Sequence, residues 1–189
     1  FVELYRSGKI YRGYRLVNWD PILKTAVSDL EVVRQEKEGV IWHIDYPILD
    51  SSEKVTVATT RPETMFGDMA VAVNPKDKRY QKLIGKYVEL PFVGRKIPIL
   101  GDDYVDMDFG TGCLKITPGH DFNDYNVGKR NNLEIINIFE KDGKINKNGI
   151  KEYIGLDRFE ARKQIINKLK ENGNLIKIEN IKNKVPYGD

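Results

Sequence analysis

Three features are scarce in this sequence, and each scarcity excludes a class of protein. Only one of the 189 residues is a cysteine, Cys113, so an internal disulfide is impossible and a reducing cytoplasm is the expected compartment. No apolar run approaches the roughly 20 residues of a membrane-spanning helix, so we expect no membrane partner. The two histidines, His43 and His120, lie far apart in the chain, and this leaves few ligands for a transition metal.

Composition places the chain among folded, mixed-charge proteins. Hydrophobic residues make up 40% and charged residues 31%, which suits a domain that buries a real core. The net charge of +3 permits a phosphate or RNA partner without demanding one, because non-specific nucleic-acid binders are usually far more basic. The first residue is Phe1 rather than methionine, and we expect the chain to be a piece of a larger protein.

Apolar periodicity predicts many short strands and few helices. Residues 54–60 alternate cleanly between two faces, and further strands are predicted at 69–73, 87–90, 96–100 and 134–139. Short helices are expected at 74–84 and 157–172, the second with Asp157 and Glu160 at its start and Gly173 beyond its end. Strands predicted at 10–18, 30–35 and 40–48 form a β-ribbon arm. The class is therefore α+β and β-rich, with a closed or curled sheet.

The stretch 110–125 predicts a strand, a sharp turn and a helix N-terminus in immediate succession. Residues 113–117 carry β-compatible side chains, Pro118-Gly119 breaks the strand, and Asp121 is a natural N-cap for a short helix ending near Arg130. Five polar or charged side chains gather at this junction: Lys115, Thr117, His120, Asp121 and Asp124.

These side chains are expected to share faces of their elements. Lys115 and Thr117 point to one side of the strand because side chains alternate with a period of two. Asp121 and Asp124 share a helical face at i, i+3. A purely structural role, in which Asp121 caps the helix and Asp124 favours its positive end, stays open for Asp121 alone. For the whole cluster we favour a functional site.

A second polar stretch, Thr59-Thr60-Arg61-Pro62-Glu63-Thr64, ends the strand predicted at 54–60. Hydroxyls and a guanidinium at a strand end suit a phosphate, a carboxylate or an ester carbonyl. Taken in isolation, the same residues can equally satisfy their own turn, and that alternative would be preferred.

Together the two stretches resemble a known family. Residues 58–64, Gly67-Asp68, residues 110–117 and His120-Asp-Phe-Asn-Asp-Tyr125 closely resemble the editing domain of the valyl-tRNA synthetase family, an insertion in class I aminoacyl-tRNA synthetases. Val17-Asn-Trp-Asp-Pro21 is similar to its incoming arm, and Val185-Pro-Tyr-Gly-Asp189 to its return. The resemblance covers essentially the whole chain, and the order and spacing of the motifs make it specific.

The resemblance implies a fold and a division of the chain. The expected core is a β-barrel surrounded by helices. Residues 1–50 would form a linker arm, or β-ribbon, toward an absent catalytic domain, residues 51–180 the editing domain, and residues 181–189 a return linker. The ATP-binding motifs of class I synthetases are absent from these 189 residues, so no cofactor is expected for editing, and ATP would serve only the full-length enzyme.

The resemblance also implies a reaction, the hydrolysis by a positioned water of threonine wrongly esterified to the 3′ end of valine tRNA. A hydrophobic pocket for valine rejects threonine poorly, as is established for these enzymes, and a second site must correct the error. The expected partners are the 3′ end of tRNA(Val) and the catalytic domain of the same chain.

Residue roles follow from the resemblance. Asp124 would anchor the substrate α-ammonium group, and Asp121 would accept the threonine hydroxyl, which valine lacks. Asp68 and His120 match positions at the edge of the site without a single assigned role. The remaining candidates would hold the terminal adenosine and the ester carbonyl: Lys115, Thr117, Thr59, Thr60, Arg61 and Thr64.

Three alternatives stay open. The chain could be a tRNA 3′-end binding module without hydrolytic activity, or an editing domain of the leucyl or isoleucyl subtype. A metal-dependent hydrolase using His120, Asp121 and Asp124 is disfavoured, because too few ligands are present. Covalent catalysis is not expected, since no Gly-x-Ser-x-Gly motif is present and Cys113 is predicted to be a small buried residue. His43 is predicted to pack within its strand.

Overall fold

The computed structural model describes residues 1–188, without the side chains of residues 184, 187 and 188. The return linker predicted at 181–189 therefore ends on Asp189, which lies outside the described residues. Strands dominate, and the predicted β-rich α+β class is confirmed. The strands are β1 (Asn18–Asp20), β2 (Thr25–Val27), β3 (Val32–Pro47), β4 (Lys54–Thr59), β5 (Ala70–Val73), β6 (Tyr87–Glu89), β7 (Lys96–Gly101), β8 (Cys113–Ile116) and β9 (Leu175–Gly188). The helices are α1 (Val2–Arg6), α2 (Phe122–Arg130) and α3 (Arg158–Glu171).

The strands form three sheets. β1 pairs with β2, the second sheet has the order β4-β3-β9, and the third has the order β6-β7-β5-β8. Only the β5–β7 pair is parallel among these neighbours. Within residues 1–188 the hydrogen-bonded strands do not close into a ring, so the expected β-barrel stays a prediction.

The predicted ribbon arm differs from the observed one. β3 continues through Lys37-Glu38-Gly39, where a break was expected, and pairs with β9 from Val32 to Ile44. An antiparallel partner supplies backbone hydrogen bonds whatever the local composition, and so the strand persists there. The prediction of a strand at 10–18 is wrong, because in this region only Asn18–Asp20 pairs with another strand, β2.

One main core lies between the sheets and α3. Val55 and Val57 of β4 are buried on one face, as the alternation predicts, and α3 buries Ile165 and Leu169. α3 starts as predicted, since Oδ1 of Asp157 accepts the Phe159 N–H at 2.8 Å. Gly173 follows its end at φ +71°, the left-handed conformation that a helix stop commonly needs.

Two further elements are shorter than predicted. The helix expected at 74–84 is a turn followed by a 3₁₀ segment, Gln81–Leu83. The strand expected at 134–139 is reduced to one bridge between Phe139 and Ile145. None of the described helices is long and apolar enough to cross a bilayer.

Candidate functional site

The candidate site forms where β8 ends and α2 begins. Oδ1 of Asp121 accepts the backbone N–H groups of Asn123 at 2.8 Å and Asp124 at 3.1 Å, so the predicted N-cap is confirmed. The connecting turn packs tightly, because a Cβ on Gly119 would collide with the carbonyl oxygen of Ile136. This close approach requires glycine and places the turn directly against the backbone of Ile136.

A buried network surrounds the ammonium group of Lys115. Its Nζ donates to Oγ1 of Thr64 at 3.0 Å and to Oδ1 of Asp68 at 2.8 Å, and the third bond reaches Oγ1 of Thr117 at 2.6 Å. The Lys115 side chain is 8% exposed. An ammonium has three N–H donors, so all three are used inside the protein. Lys115 would have to release one of them to touch a bound ester.

Asp68 joins this network to the core. It is fully buried, and its two oxygens have separate partners. Oδ1 accepts Lys115 Nζ and also the hydroxyl of Thr117 at 2.5 Å, while Oδ2 accepts the hydroxyl of Tyr46 at 2.7 Å. Burial, then the Asp68 charge, raises the pKa of Tyr46 well above its ordinary value, so the phenol keeps its proton and remains a donor.

Asp124 is buried with one oxygen bonded and one uncommitted. Its Oδ2 accepts the backbone N–H of Thr117 at 2.8 Å. Among the described residues, Oδ1 accepts no hydrogen bond. Desolvation raises the pKa of Asp124 to about 7, although the Lys115 charge and the Thr117 N–H act in the opposite direction. A strongly raised carboxyl pKa is common at functional sites.

Arg61 and His120 form the other side of the site. Nη1 of Arg61 donates to the carbonyl oxygen of His120 at 2.8 Å. The backbone N–H of Ile138 donates to His120 Nε2 at 3.0 Å, so a neutral ring carries its proton on Nδ1. Burial, followed by the charges of Arg61 and Lys115, lowers the pKa of His120 to about 3. The ring is therefore neutral at physiological pH.

The segment that follows Arg61 is held against α3 by an ion pair. Pro62–Gly67 forms a buried 3₁₀ turn. Within it Glu63, 1% exposed, binds Arg162 of α3 through two bonds of 2.7 Å. A bidentate guanidinium–carboxylate pair restricts the orientation of both groups. Arg162 thus ties the turn to α3.

The structure brings all ten sequence-predicted site residues into one neighbourhood. Thr59 Oγ1 accepts the Arg61 N–H at 3.0 Å, and Thr64 Oγ1 donates to the Arg61 carbonyl at 2.9 Å. Thr60 is half-buried beside them. The alternative that these residues satisfy their own turn therefore holds in part, because the hydroxyls of Thr59 and Thr64 bond within that turn. The functional roles assigned to these residues stay predictions.

Sequence reasoning missed four residues that shape the site. Tyr46 and Arg95 act on Asp68, since Nη2 of Arg95 donates to the carbonyls of Phe66 and Asp68. Glu63 and Arg162 support the 3₁₀ turn. Glu63 lies inside the quoted motif and could have been singled out. No signal in the sequence distinguishes Tyr46 from its apolar strand neighbours.

Two residues considered in the sequence analysis and set aside, Cys113 and His43, make no hydrogen bond with the network around Lys115 in the described part of the chain. Cys113 is a buried free cysteine, as predicted, and burial raises its pKa to about 11. His43 is partly buried in β3, with Nε2 placed 2.5 Å from Glu179 Oε2. Within residues 1–188, no group of three or more His, Cys, Asp and Glu side chains has the arrangement of a metal site.

Comparison with known proteins gives concordant matches. The family model of the leucyl-tRNA synthetase editing domain matches residues 81–173. The valine–tRNA ligase of Pelagibacter ubique is 64% identical over all 189 residues, which are 22% of that protein. The valine–tRNA ligase of Francisella tularensis is 60% identical over the whole chain, which covers 21% of that protein.

A solved structure shares the fold. A leucyl-tRNA synthetase from Agrobacterium radiobacter K84, crystallised in a ternary complex with tRNA and LeuAMS, matches with a TM-score of 0.57 at 18% identity. The match covers 97% of this chain and 31% of that one.

These matches define the class that the chain resembles, the editing domains of aminoacyl-tRNA synthetases. The relatives that it matches at 60–64% identity are valine–tRNA ligases. The chain spans about a fifth of the length of these relatives.

Proposed function

We propose that this chain hydrolyses the ester bond of threonine wrongly attached to the 3′ end of tRNA(Val). One observation carries the proposal. Asp121 and Asp124 each commit a single oxygen to the fold, Oδ1 to the helix cap and Oδ2 to Thr117. Among the described residues the second oxygen of each accepts no hydrogen bond. One carboxylate oxygen at the N-cap of α2 and one in its first turn are therefore available to a ligand.

The two carboxylates suit the two polar groups of a threonyl ester. Asp124 would bind the α-ammonium group, whose positive charge offsets the cost of ionising a buried carboxyl. Asp121, which is exposed, would accept the threonine hydroxyl. Valine would cover this acceptor with a methyl group, and an acceptor removed from water without a partner costs roughly 1–3 kcal/mol. This difference would protect correctly charged valyl-tRNA.

The chemical step would use a positioned water rather than an enzyme nucleophile. Cys113 is unsuitable, because its raised pKa keeps it a thiol. Neutral His120 offers Nδ1–H as a donor, and the guanidinium of Arg61, whose side chain is 44% exposed, lies beside it. Donors of this kind stabilise the oxyanion that forms when water attacks an ester. Lys115 would contribute its positive charge and hold Thr64 and Thr117 in place.

The wider context of the proposal comes from the relatives. They are valine–tRNA ligases about five times longer than this chain, so we propose that the domain works beside a synthetase catalytic domain in the same polypeptide. Residues 1–50 and the paired β3–β9 ribbon would connect the two. The 60–64% identity to valine enzymes supports the valyl over the leucyl or isoleucyl subtype.

The decisive test is a deacylation assay with two substrates. tRNA(Val) charged with threonine or with valine would be incubated with this chain and with a chain extended to the length of its relatives. We expect rapid loss of threonine and retention of valine, at least with the extended chain. Loss from neither substrate with both chains, together with measurable tRNA binding, would instead favour a 3′-end binding module without hydrolytic activity.

A further inference from the structure

Tyr46 is the innermost member of the polar network behind the site. Its side chain is fully buried near the C-terminal end of β3, opposite Val55 of β4. Its hydroxyl donates to Oδ2 of Asp68 at 2.7 Å. A buried tyrosine could pack equally well as phenylalanine, so this hydroxyl is needed only for its bond to Asp68.

A chain of direct contacts runs from Tyr46 to the proposed substrate anchor. Oδ1 of Asp68 accepts the Thr117 hydroxyl at 2.5 Å. The backbone N–H of the same Thr117 donates to Asp124 Oδ2 at 2.8 Å. Asp68 also holds Lys115, whose charge acts on Asp124. The orientation of the Asp68 carboxylate therefore sets the positions of Lys115 and Thr117, the two residues that act on Asp124.

Removing the Tyr46 hydroxyl would leave Oδ2 of Asp68 buried without that donor. A buried carboxylate oxygen without a donor is strongly unfavourable, and the carboxylate would turn to share Lys115 or Thr117 between its two oxygens. Either rotation would weaken one of the two hydrogen bonds that Oδ1 now accepts, from Lys115 Nζ or from the Thr117 hydroxyl. Asp68 cannot move as a whole to compensate, because Arg95 holds its backbone carbonyl and that of Phe66.

We propose that Tyr46 is a positioning residue of the site, which fixes the Asp68 carboxylate and through it the placement of Lys115 and Thr117 against Asp124. The expected effect of Tyr46 on catalysis rests on the proposed function. Its expected effect on the titration of Asp124 does not, because that titration is measured without substrate.

The first experiment therefore needs no activity. The carboxyl carbon of Asp124 would be titrated by NMR in the unchanged protein, in Tyr46→Phe and in Tyr80→Phe. Tyr80 is the matched control, because its hydroxyl bonds the Thr111 carbonyl at 2.8 Å, away from Asp68. We expect Tyr46→Phe to shift the Asp124 titration and Tyr80→Phe to leave it unchanged. Identical Asp124 titration curves for all three proteins would overturn the proposal.

The second experiment is a double-mutant cycle on single-turnover deacylation of threonyl-tRNA(Val) by the full-length chain. We expect Tyr46→Phe to lower the rate about tenfold without weakening tRNA binding, and to have little further effect in an Asp68→Asn background. An equal loss in both backgrounds would show that Tyr46 does not act through Asp68.

Two remaining outcomes are also informative. If Tyr46→Phe does not fold, Asp68→Asn replaces it, and an unchanged Asp124 titration in that variant overturns the proposal. If the unchanged protein hydrolyses nothing, the proposed function fails, while the NMR titration still decides the role of Tyr46.

Discussion

The backbone N–H of Thr117 donates to Oδ2 of Asp124 at 2.8 Å, so the residue that follows β8 binds the first turn of α2 directly. This bond holds a carboxyl group in a place where water is largely excluded. The same burial raises the pKa of Asp124. A negative charge on this carboxyl is therefore costly, and a cationic ligand beside it would lower that cost.

Replacing Asp124 with asparagine should stabilise the protein while abolishing hydrolysis. A carboxyl whose folded pKa is about 7 is harder to ionise in the folded than in the unfolded chain. Its contribution to stability is thus lost as pH rises from about 4 to 7. Asparagine keeps an acceptor for the Thr117 N–H and avoids this loss. Thermal unfolding should show Asp124→Asn more stable at pH 8, with the difference shrinking toward pH 4.

An Asp124→Asn variant that is less stable than the unchanged protein at pH 8 would contradict this account. It would mean that neighbouring groups such as Lys115 stabilise the ionised carboxylate without substrate.

The rate of deacylation at low substrate concentration should fall as pH drops below about 7, following the Asp124 carboxyl. Only the ionised form can hold an ammonium group, so protonation removes the anchor. His120 cannot produce this dependence, because its pKa is about 3. Single-turnover kcat/KM between pH 5.5 and about 7.5 would measure it, and a flat profile over that range would exclude Asp124 as the anchor.

Asp121 should show separable effects on stability and on selectivity. Asp121→Ala removes the acceptor for two helix N–H groups and should cost about 1 kcal/mol. Asp121→Asn retains a good cap, since asparagine caps as well as aspartate, and removes the charge. Denaturant unfolding and the threonine-to-valine deacylation ratio should be measured for both variants. If Asp121→Asn leaves the ratio unchanged, the charge of Asp121 does not select the substrate.

Arg162→Ala should be strongly destabilising, although Arg162 does not touch the proposed substrate position. It would leave Glu63, 1% exposed, with Arg61 Nε at 3.8 Å as its remaining ion-pair partner. Breaking a buried pair on one side typically costs about 3–5 kcal/mol. Urea unfolding would measure the loss.

The neighbouring Lys163→Ala is the matched control for Arg162→Ala. Lys163 is 76% exposed and lies 3.8 Å from Glu160, and we expect a change below about 0.5 kcal/mol. Similar effects of the two substitutions would show that the Glu63 pair adds nothing specific to the fold.

Local features of the site were predictable from the sequence, and distant ones were not. The Asp121 cap joins residues two and three positions apart, and a strand's alternation relates Lys115 to Thr117 two positions away. By contrast, Tyr46 and Asp68 are 22 residues apart, and Glu63 and Arg162 are 99 residues apart. Nothing in either local segment specifies such a partner.

The mispredicted strand at 10–18 and the mispredicted break within β3 have the same explanation. Residues 10–18 carry good β-forming side chains, but a strand also needs a hydrogen-bonded neighbour, and only Asn18–Asp20 has one. The continuity of β3 through Lys37-Glu38-Gly39 likewise depends on β9, whose backbone lies opposite these residues. Composition alone could not reveal either pairing.

The local elements of the site could therefore be predicted from neighbouring residues: the end of β8, the turn at Pro118-Gly119, the cap of α2 and the set of polar side chains gathered there. Short-range sterics and hydrogen bonds settle these features. The use of those side chains depends on the packed fold. That fold buries Asp124, directs every N–H of Lys115 into the protein and places Tyr46 behind Asp68. Burial and charge pairing depend on segments brought together from across the chain, and those contacts exist only once the sheets have packed.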